Sequence, residues 1–374
     1  MSPAGAPVTP DEREALRRRC TVFVGGGPPA AAGAELIRVG EWCREHGHEP
    51  DRYGQGPLVE AFERRIAAHV GCEAAVFMPS GTMAQQIALR IHAEETGVGA
   101  FAMHATSHLE RHELRAYARV QRLDAALLGP PSRPTLAADL AAWPERLAAL
   151  LVELPAREIG GQLPSLAELR ELSALARSRG IRLHMDGARL WEASAAYAPV
   201  PCAEVGALFD SIYVSFYKGI GALAGAALAG PASFVAQARG WRRRMGGTLV
   251  QLHPYVASAA MRFDARLALM PAWRDRAGRL AGALAQVPGV RVLPDPPHVN
   301  MFHLHLAAPA DALAAARDEI ARQEGAWIGG HFAEGATPGT SVLEIYVADA
   351  LLDVPDARAC ELFGALLARA GAAA

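Results

Sequence analysis

Lys218, in the stretch SFYKGIGALAGA, is the one lysine of the chain, although lysine and arginine together number 37. Arginine stays protonated, whereas lysine can lose its proton near neutral pH and form a Schiff base with a carbonyl group. The isolated lysine therefore predicts a nucleophilic amine, with survival by chance as the alternative. Because it follows the apolar run SIYVSF (211–216), we expect it just beyond the end of a buried strand.

A second candidate, Asp186, ends the apolar run IRLHMD (181–186) and is followed by glycine. A charge at the end of a buried strand is costly unless it has a partner. We interpret Asp186 either as the acceptor for a cationic ligand nitrogen or as a cap of the following helix. Arg189, three residues later, is of the type that binds a carboxylate or a phosphate.

A third candidate lies in PSGTMAQ, where a predicted strand runs into Ser80, Gly81 and Thr82 and then into a helix. Backbone N–H groups at a helix start, with two hydroxyls beside them, bind phosphate. The simpler interpretation is an ordinary N-cap, which serine and threonine favour. Together, a phosphate cradle, a buried carboxylate and a lone lysine on successive strand ends predict pyridoxal phosphate, which needs all three groups.

Predicted strands and helices alternate along most of the chain, and these elements must position the three candidates. The alternation predicts an α/β fold, a mostly parallel sheet flanked by helices. In such sheets ligands bind beyond the carboxyl ends of the strands, where all three candidates fall. We expect an irregular N-terminal segment over residues 1–50, a large cofactor-binding domain over 51–258 and a smaller C-terminal α+β domain over 259–374.

The composition excludes several classes of partner. The net charge is −2 and the arginine clusters are short, so we expect no nucleic-acid surface. The five cysteines are widely spaced, which predicts no metal site and no disulfide framework, and favours a reducing, cytoplasmic location. We expect no membrane contact and no signal peptide, because no apolar stretch is long enough and acidic residues interrupt the start of the chain.

Six motifs in chain order resemble those of the threonine aldolase / β-eliminating lyase family, which are fold-type I pyridoxal-phosphate enzymes. They are YGQGP, PSGTMAQQ, SHLERHE, HMDGARLWEA, SFYKGIGALAGA and WRRRMGGTLVQ. The resemblance covers about residues 50–260, and the pair DGAR and PSGTM is its most specific part. It implies the fold-type I architecture, with a smaller C-terminal domain.

The resemblance also implies a role for each matching residue. Lys218 would form the Schiff base with the cofactor, Asp186 would pair with its pyridine nitrogen, and His108 would stack on its ring and act as a base. Arg189 would hold the cofactor or the substrate carboxylate. The further cofactor contacts that it implies are Ser80, Gly81, Thr82, Ser215 and Tyr53. Tyr53 would reach the phosphate of a neighbouring subunit, which implies a homodimer or a homotetramer.

The chain departs from the family pattern in three places. ELPAREIGG stands where the family carries ENTHN, so Ala156 replaces a histidine that assists aldol cleavage. Glu344 falls near the position of an arginine that clamps the substrate carboxylate, and we expect Arg157 to take over that binding. Tyr217 stands where a serine precedes the lysine, with Ser215 close by to offer a hydroxyl.

Retro-aldol cleavage of a threonine-like β-hydroxy-α-amino acid to glycine and an aldehyde is the predicted reaction. The alternative is β-elimination from another amino acid, which the replaced histidine favours. A non-catalytic protein of this fold, or a lysine Schiff-base aldolase without cofactor, are further alternatives. Both are disfavoured because Lys218, Asp186 and the Ser80–Thr82 turn are all present.

Overall fold

A computed structural model describes residues 9–29 and 31–371. Its strands in chain order are β1 (Val22–Val24), β2 (Ala74–Met78), β3 (Ala100–His104), β4 (Asp124–Leu128), β5 (Ala149–Glu153), β6 (Arg182–Gly187), β7 (Ser211–Ser215), β8 (Ala226–Gly230), β9 (Val290–Leu293), β10 (Met301–Leu306), β11 (Ala326–Ile328), β12 (Phe332–Glu334) and β13 (Ser341–Tyr346).

The α-helices in chain order are α1 (Pro10–Arg19), α2 (Ala32–Glu45), α3 (Pro57–His69), α4 (Gly81–Thr96), α5 (His108–Arg111), α6 (Ala116–Arg119), α7 (Ala137–Ala141), α8 (Leu166–Ser178), α9 (Leu190–Tyr197), α10 (Cys202–Gly206), α11 (Ala232–Arg244), α12 (His253–Ala260), α13 (Phe263–Leu284), α14 (Ala310–Glu324), α15 (Asp349–Leu352) and α16 (Asp356–Arg369). A short 3₁₀ helix covers Arg157–Ile159.

Seven strands form one sheet in the order β2-β8-β7-β6-β5-β3-β4. All of them run parallel except β8, which pairs antiparallel with both of its neighbours. The predicted mostly parallel α/β sheet is thus confirmed. Because β2, β3, β5, β6 and β7 point the same way, the loops that follow them leave from one edge of the sheet.

Helix α4 shows why the sequence packs a helix on this sheet. Its apolar residues recur every three or four positions, which places Ala84, Ile87 and Ile91 on one face. That face is fully buried in a core cluster that includes Val76 of β2 and Leu228 of β8. The packing fixes the start of α4, which is the predicted phosphate turn, at the end of β2.

The chain divides into two compact units. One unit is Ala32–Met270 and carries the seven-stranded sheet, and the other joins Met1–Ala31 to Pro271–Ala374. The second unit holds a four-stranded antiparallel sheet in the order β12-β13-β10-β9 and a parallel pair of β1 with β11. Along β10 buried residues alternate with half-buried ones, as in a strand with one covered face.

The N-terminal region differs from the expectation of an irregular segment, because it contains α1, β1 and α2. Thr9 caps α1, and Glu12 completes a capping box, a pattern that was readable in the sequence. The first unit boundary also falls at residue 31 instead of 50, since β1 pairs with β11 of the C-terminal segment. Among the described residues no helix is both long and apolar enough to cross a membrane.

Candidate active site

Lys218 follows β7 in a loop that buried aromatic side chains hold in place. Phe216 is fully buried and stacks on Phe77, with ring centroids 5.8 Å apart. The indole Nε1 of Trp191 donates a hydrogen bond to the backbone oxygen of Ser215 at 2.7 Å. These contacts fix the backbone just before Lys218, so the lysine side chain starts from a defined position at the sheet edge, as the sequence predicted.

The environment of Lys218 shifts its amine toward the neutral form. Burial lowers the pKa of Lys218, and the positive charge of Arg189 lowers it further. The carboxylates of Asp186, Glu153 and Glu192 act in the opposite direction but do not cancel the shift. A lysine with a lowered pKa is a better nucleophile toward an aldehyde near neutral pH.

Asp186, near the end of β6, is only 2% exposed. Its Oδ1 accepts a hydrogen bond from the backbone N–H of Ala188 at 3.0 Å. Burial raises the pKa of Asp186, whereas the charge of Lys218 lowers it. A carboxylate that burial makes costly to ionise is stabilised by a cation beside it, which is what a pyridinium nitrogen supplies.

The phosphate turn at the start of α4 is closed by a contact that only glycine permits. Ser80 Oγ accepts a hydrogen bond from the backbone N–H of Met83 at 3.2 Å, so the N-cap interpretation holds for this hydroxyl. A Cβ placed on Gly81 would lie 2.1 Å from the hydroxyl oxygen of Tyr213. Because Tyr213 is the register partner of Asp186, the turn lies one strand from that carboxylate. Thr82, in the first helical turn, is exposed.

His108 begins the short helix α5 after β3, where a carboxylate fixes its ring. Its Nδ1 is 3.0 Å from Glu113 Oε1, and Gln86 Nε2 donates to the other carboxylate oxygen at 3.2 Å. The side chain of Glu113 is 3% exposed. Since a carboxylate accepts, Nδ1 carries the proton and Nε2 remains as the basic nitrogen of His108.

Glu153, which the sequence analysis did not single out, ends β5 and is the register partner of Asp186. Burial and the nearby charge of Asp186 raise the pKa of Glu153 to about 7. The backbone N–H of Arg157 donates to Glu153 Oε1 at 3.1 Å. A signal was present, because this glutamate ends the apolar run LAALLVE as Asp186 ends IRLHMD.

Arg157 begins the 3₁₀ helix after β5, and its guanidinium Nη1 contacts Glu158 Oε1 at 2.7 Å. Ala156, at the position of the missing histidine, is buried. Tyr217 is exposed, with its ring centroid 5.8 Å from Lys218 Nζ. Ser215, the last residue of β7, is fully buried.

Tyr53 lies at the surface, with half of its side chain exposed. Its backbone has a φ of 54°, an unusual conformation that buried Asp51 supports by accepting from the N–H of Gly54 at 2.7 Å. Glu344 belongs to the other unit, in β13, where it pairs with His303 of β10. The structure therefore brings Lys218 close to Asp186 and Arg189, places His108 near Asp186, and leaves Tyr53 outward-facing.

Pyridoxal phosphate fits these residues by two tests. Ser107 Oγ and Arg189 Nε are buried with no hydrogen-bond partner among the described residues. Both atoms can therefore form a hydrogen bond with a bound cofactor. The donor set also matches the cofactor, with an amine of lowered pKa, a buried carboxylate and a helix start. The described part of the chain holds no group of three or more potential metal ligands.

Comparisons with known proteins agree with this geometry. A sequence model of the beta-eliminating lyase family matches residues 31–309. An aldolase from Penicillium aethiopicum is 34% identical over 224 residues, which are 58% of this chain and 57% of the relative. The matched part thus spans less than two thirds of that relative's length.

Two solved structures are similar over nearly the whole chain, each with a TM-score of 0.88. One, from Listeria monocytogenes EGD-E, is provisionally named an L-allo-threonine aldolase, is 39% identical and covers 96% of this chain and 98% of its own. The other, from Exiguobacterium sp. 255-15, is provisionally named an aromatic amino acid beta-eliminating lyase/threonine aldolase. It is 38% identical and covers 96% of this chain and 99% of its own.

Proposed function

Because the chain belongs to the beta-eliminating lyase family, we propose that it is a lyase that cleaves a β-hydroxy-α-amino acid by retro-aldol chemistry. Membership confirms the family resemblance, the fold-type I architecture and pyridoxal phosphate as the cofactor. The substrate class, the direction of bond cleavage and the role of each site residue belong to the proposal.

The observation that carries the retro-aldol assignment is the pairing of His108 with Glu113 at 3.0 Å. This pairing leaves the Nε2 of His108 unprotonated and oriented, which suits a base that removes the proton of the substrate's β-hydroxyl. Loss of that proton starts cleavage of the Cα–Cβ bond and releases an aldehyde. Bound at Lys218, the cofactor supplies the electron sink for the negative charge left at Cα.

Each of the other site residues has one task in this scheme. Lys218 would hold the cofactor through its amine. Asp186 would pair with the protonated ring nitrogen of the cofactor, the Ser80–Thr82 turn would bind its phosphate, and Arg189 would bind a carboxylate. Arg157 as a contact for the substrate carboxylate stays a prediction, because its guanidinium contacts Glu158.

We also propose that the active unit is at least a homodimer. Support comes from Tyr53, which is half exposed on the same unit as Lys218 and therefore available to a second copy. A cytoplasmic location is proposed on the five cysteines, all of which lie in the described residues as free thiols.

The second candidate function is β-elimination, in which Lys218 removes the Cα proton and a β-substituent leaves. The buried Ala156 favours it, because no imidazole stands at that position. The name of the Exiguobacterium structure includes both activities.

A product assay separates the two. The protein loaded with pyridoxal phosphate is given L-threonine, L-allo-threonine and a β-aryl serine. Retro-aldol cleavage predicts glycine and an aldehyde in equal amounts. A 2-oxo acid with ammonia would show that the reaction is β-elimination instead. If none of the three substrates gives either pair of products, the proposed substrate class is rejected.

A further inference from the structure

A second histidine, His112, lies beside the proposed base. It follows His108 by four residues, and the ring centroids are 5.1 Å apart with the planes tilted by 43°. At this separation one water molecule can bridge a nitrogen of one ring to a nitrogen of the other, and a proton can pass along it. His112 has no role in the reaction as proposed so far, so its proximity to His108 needs its own explanation.

His112 is oriented by a carboxylate in the same manner as His108. Its Nε2 is 2.9 Å from Glu158 Oε1, and Arg157 Nη1 contacts that same oxygen at 2.7 Å. The backbone of Arg157 is itself fixed by Glu153, at the end of β5. Arg157 Nη1 also lies 3.5 Å from this Nε2, but the Glu158 oxygen is the nearer partner. Since the carboxylate accepts from Nε2, the Nδ1 of His112 is left as the nitrogen that can take up a proton.

The groups run from a buried carboxylate to two partly exposed rings. Glu113 is 3% exposed in its side chain, His108 is 34% exposed and His112 is 39% exposed. Each imidazole contacts a carboxylate, Glu113 for His108 and Glu158 for His112, and Arg157 shares Glu158. A positive charge that moves from one ring to the other therefore lies beside a carboxylate at both positions, which lowers the energy of the transfer.

We propose that His112, positioned by Glu158 and Arg157, is a proton relay that returns His108 to its basic form after each cleavage. The inference rests on the proposed function. The Nε2 of His108 takes the hydroxyl proton as the Cα–Cβ bond breaks, and the same nitrogen then passes that proton through a water molecule to the Nδ1 of His112, which releases it to water. One proton leaves the substrate oxygen and another, from solvent, reaches Cα of glycine, so charge and atoms balance.

The relay is tested with His112→Phe, which keeps a ring but removes both nitrogens. His46→Phe is the matched control, because His46 is an exposed histidine stacked on Trp42, with centroids 4.7 Å apart, and takes no part in the site. The loaded proteins are assayed with the preferred β-hydroxy amino acid in dilute buffer and then with rising imidazole concentration. Imidazole in solution can carry the proton that the missing ring no longer carries.

We expect His112→Phe to lower kcat about tenfold in dilute buffer, to change KM by less than about twofold, and to recover with imidazole. His46→Phe should behave as the unaltered protein in every condition. Glu158→Gln, which leaves the imidazole in place but unoriented, should give a smaller loss with the same recovery. A kcat that is unchanged in His112→Phe, or a loss that imidazole does not restore, would overturn the relay.

A second readout uses the cofactor-free protein and needs no activity. Nuclear magnetic resonance measures how fast the ring N–H protons of His108 exchange with water. The relay predicts exchange slowed by more than about threefold in His112→Phe and unchanged in His46→Phe. Equal rates in all three proteins would reject the relay. If the unaltered enzyme releases no glycine and aldehyde, the proposed function fails, and this exchange rate alone decides the relay.

Discussion

Glu153 and Asp186 are paired residues at the carboxyl ends of two adjacent parallel strands, β5 and β6. Two carboxyl groups so placed compete for ionisation, and burial adds to the cost of charging either. The pKa of both is raised, that of Glu153 to about 7. Near neutral pH the pair therefore holds a proton at the position where Lys218 and Arg189 supply the nearby positive charges.

Replacing Glu153 by glutamine should alter how stability depends on pH in the cofactor-free protein. The pKa of Glu153 rises from 4.5 to about 7 on folding, so the bound proton stabilises the folded state fully below pH 4.5. That stabilisation is lost as the pH rises through 7. Between pH 5 and 8 the free energy of unfolding should fall by roughly 1 to 3 kcal/mol more in the unaltered protein than in Glu153→Gln.

Urea denaturation at several pH values measures this difference. Glu45→Gln, at an exposed carboxyl at the end of α2, is the control and should follow the unaltered protein. His184, whose pKa burial lowers to about 3, changes stability in the opposite direction, but it is present in all three proteins and cancels. Parallel curves for Glu153→Gln and the unaltered protein would show that Glu153 ionises normally.

Gly81→Ala should weaken cofactor binding, because the new Cβ would overlap the Tyr213 hydroxyl and displace the phosphate turn. We expect at least about a tenfold rise in the cofactor Kd, measured by absorbance titration. Gly278→Ala, where a Cβ meets nothing within 4 Å, should leave the Kd unchanged. Adding Tyr213→Leu to Gly81→Ala should recover part of the loss, and strictly additive effects of the two changes would contradict the overlap.

The predicted contribution of Tyr53 to a neighbouring subunit can be tested by mixing two damaged proteins. Lys218→Ala lacks the amine and Tyr53→Ala lacks the phenol, so each should be nearly inactive. After dissociation and reassembly in equal amounts, hybrid dimers contain one site with both groups intact, and about a quarter of the original activity should return. If labelled chains exchange but no activity returns, Tyr53 does not act across subunits.

Sequence patterns were sufficient to predict secondary-structure elements where burial and periodicity agree. The strands that contain Asp186 and that end before Lys218 are continuous apolar runs, so both were predicted within a few residues. The common direction of these strands follows from the alternation of strands and helices. The clustering of the candidate residues at one edge of the sheet was therefore predictable from the sequence alone.

Relationships across strands were not predictable in the same way. Nothing near Glu153 in the sequence indicates that Asp186 is its register partner, because register depends on how whole strands align. The contact between Gly81 and Tyr213 joins residues 132 positions apart, at the start of α4 and in the middle of β7. The N-terminal helix α1 was not predicted, although the capping box formed by Thr9 and Glu12 is present in the sequence.

The central claim is that Lys218 carries the cofactor, and the single lysine makes one measurement decisive. The protein is loaded with pyridoxal phosphate, reduced with sodium borohydride, digested and analysed by mass spectrometry. We predict one reduced cofactor per chain, in the peptide that contains Lys218, and none in Lys218→Ala. Absence of label at Lys218, or equal labelling of Lys218→Ala at another amine, would contradict the claim.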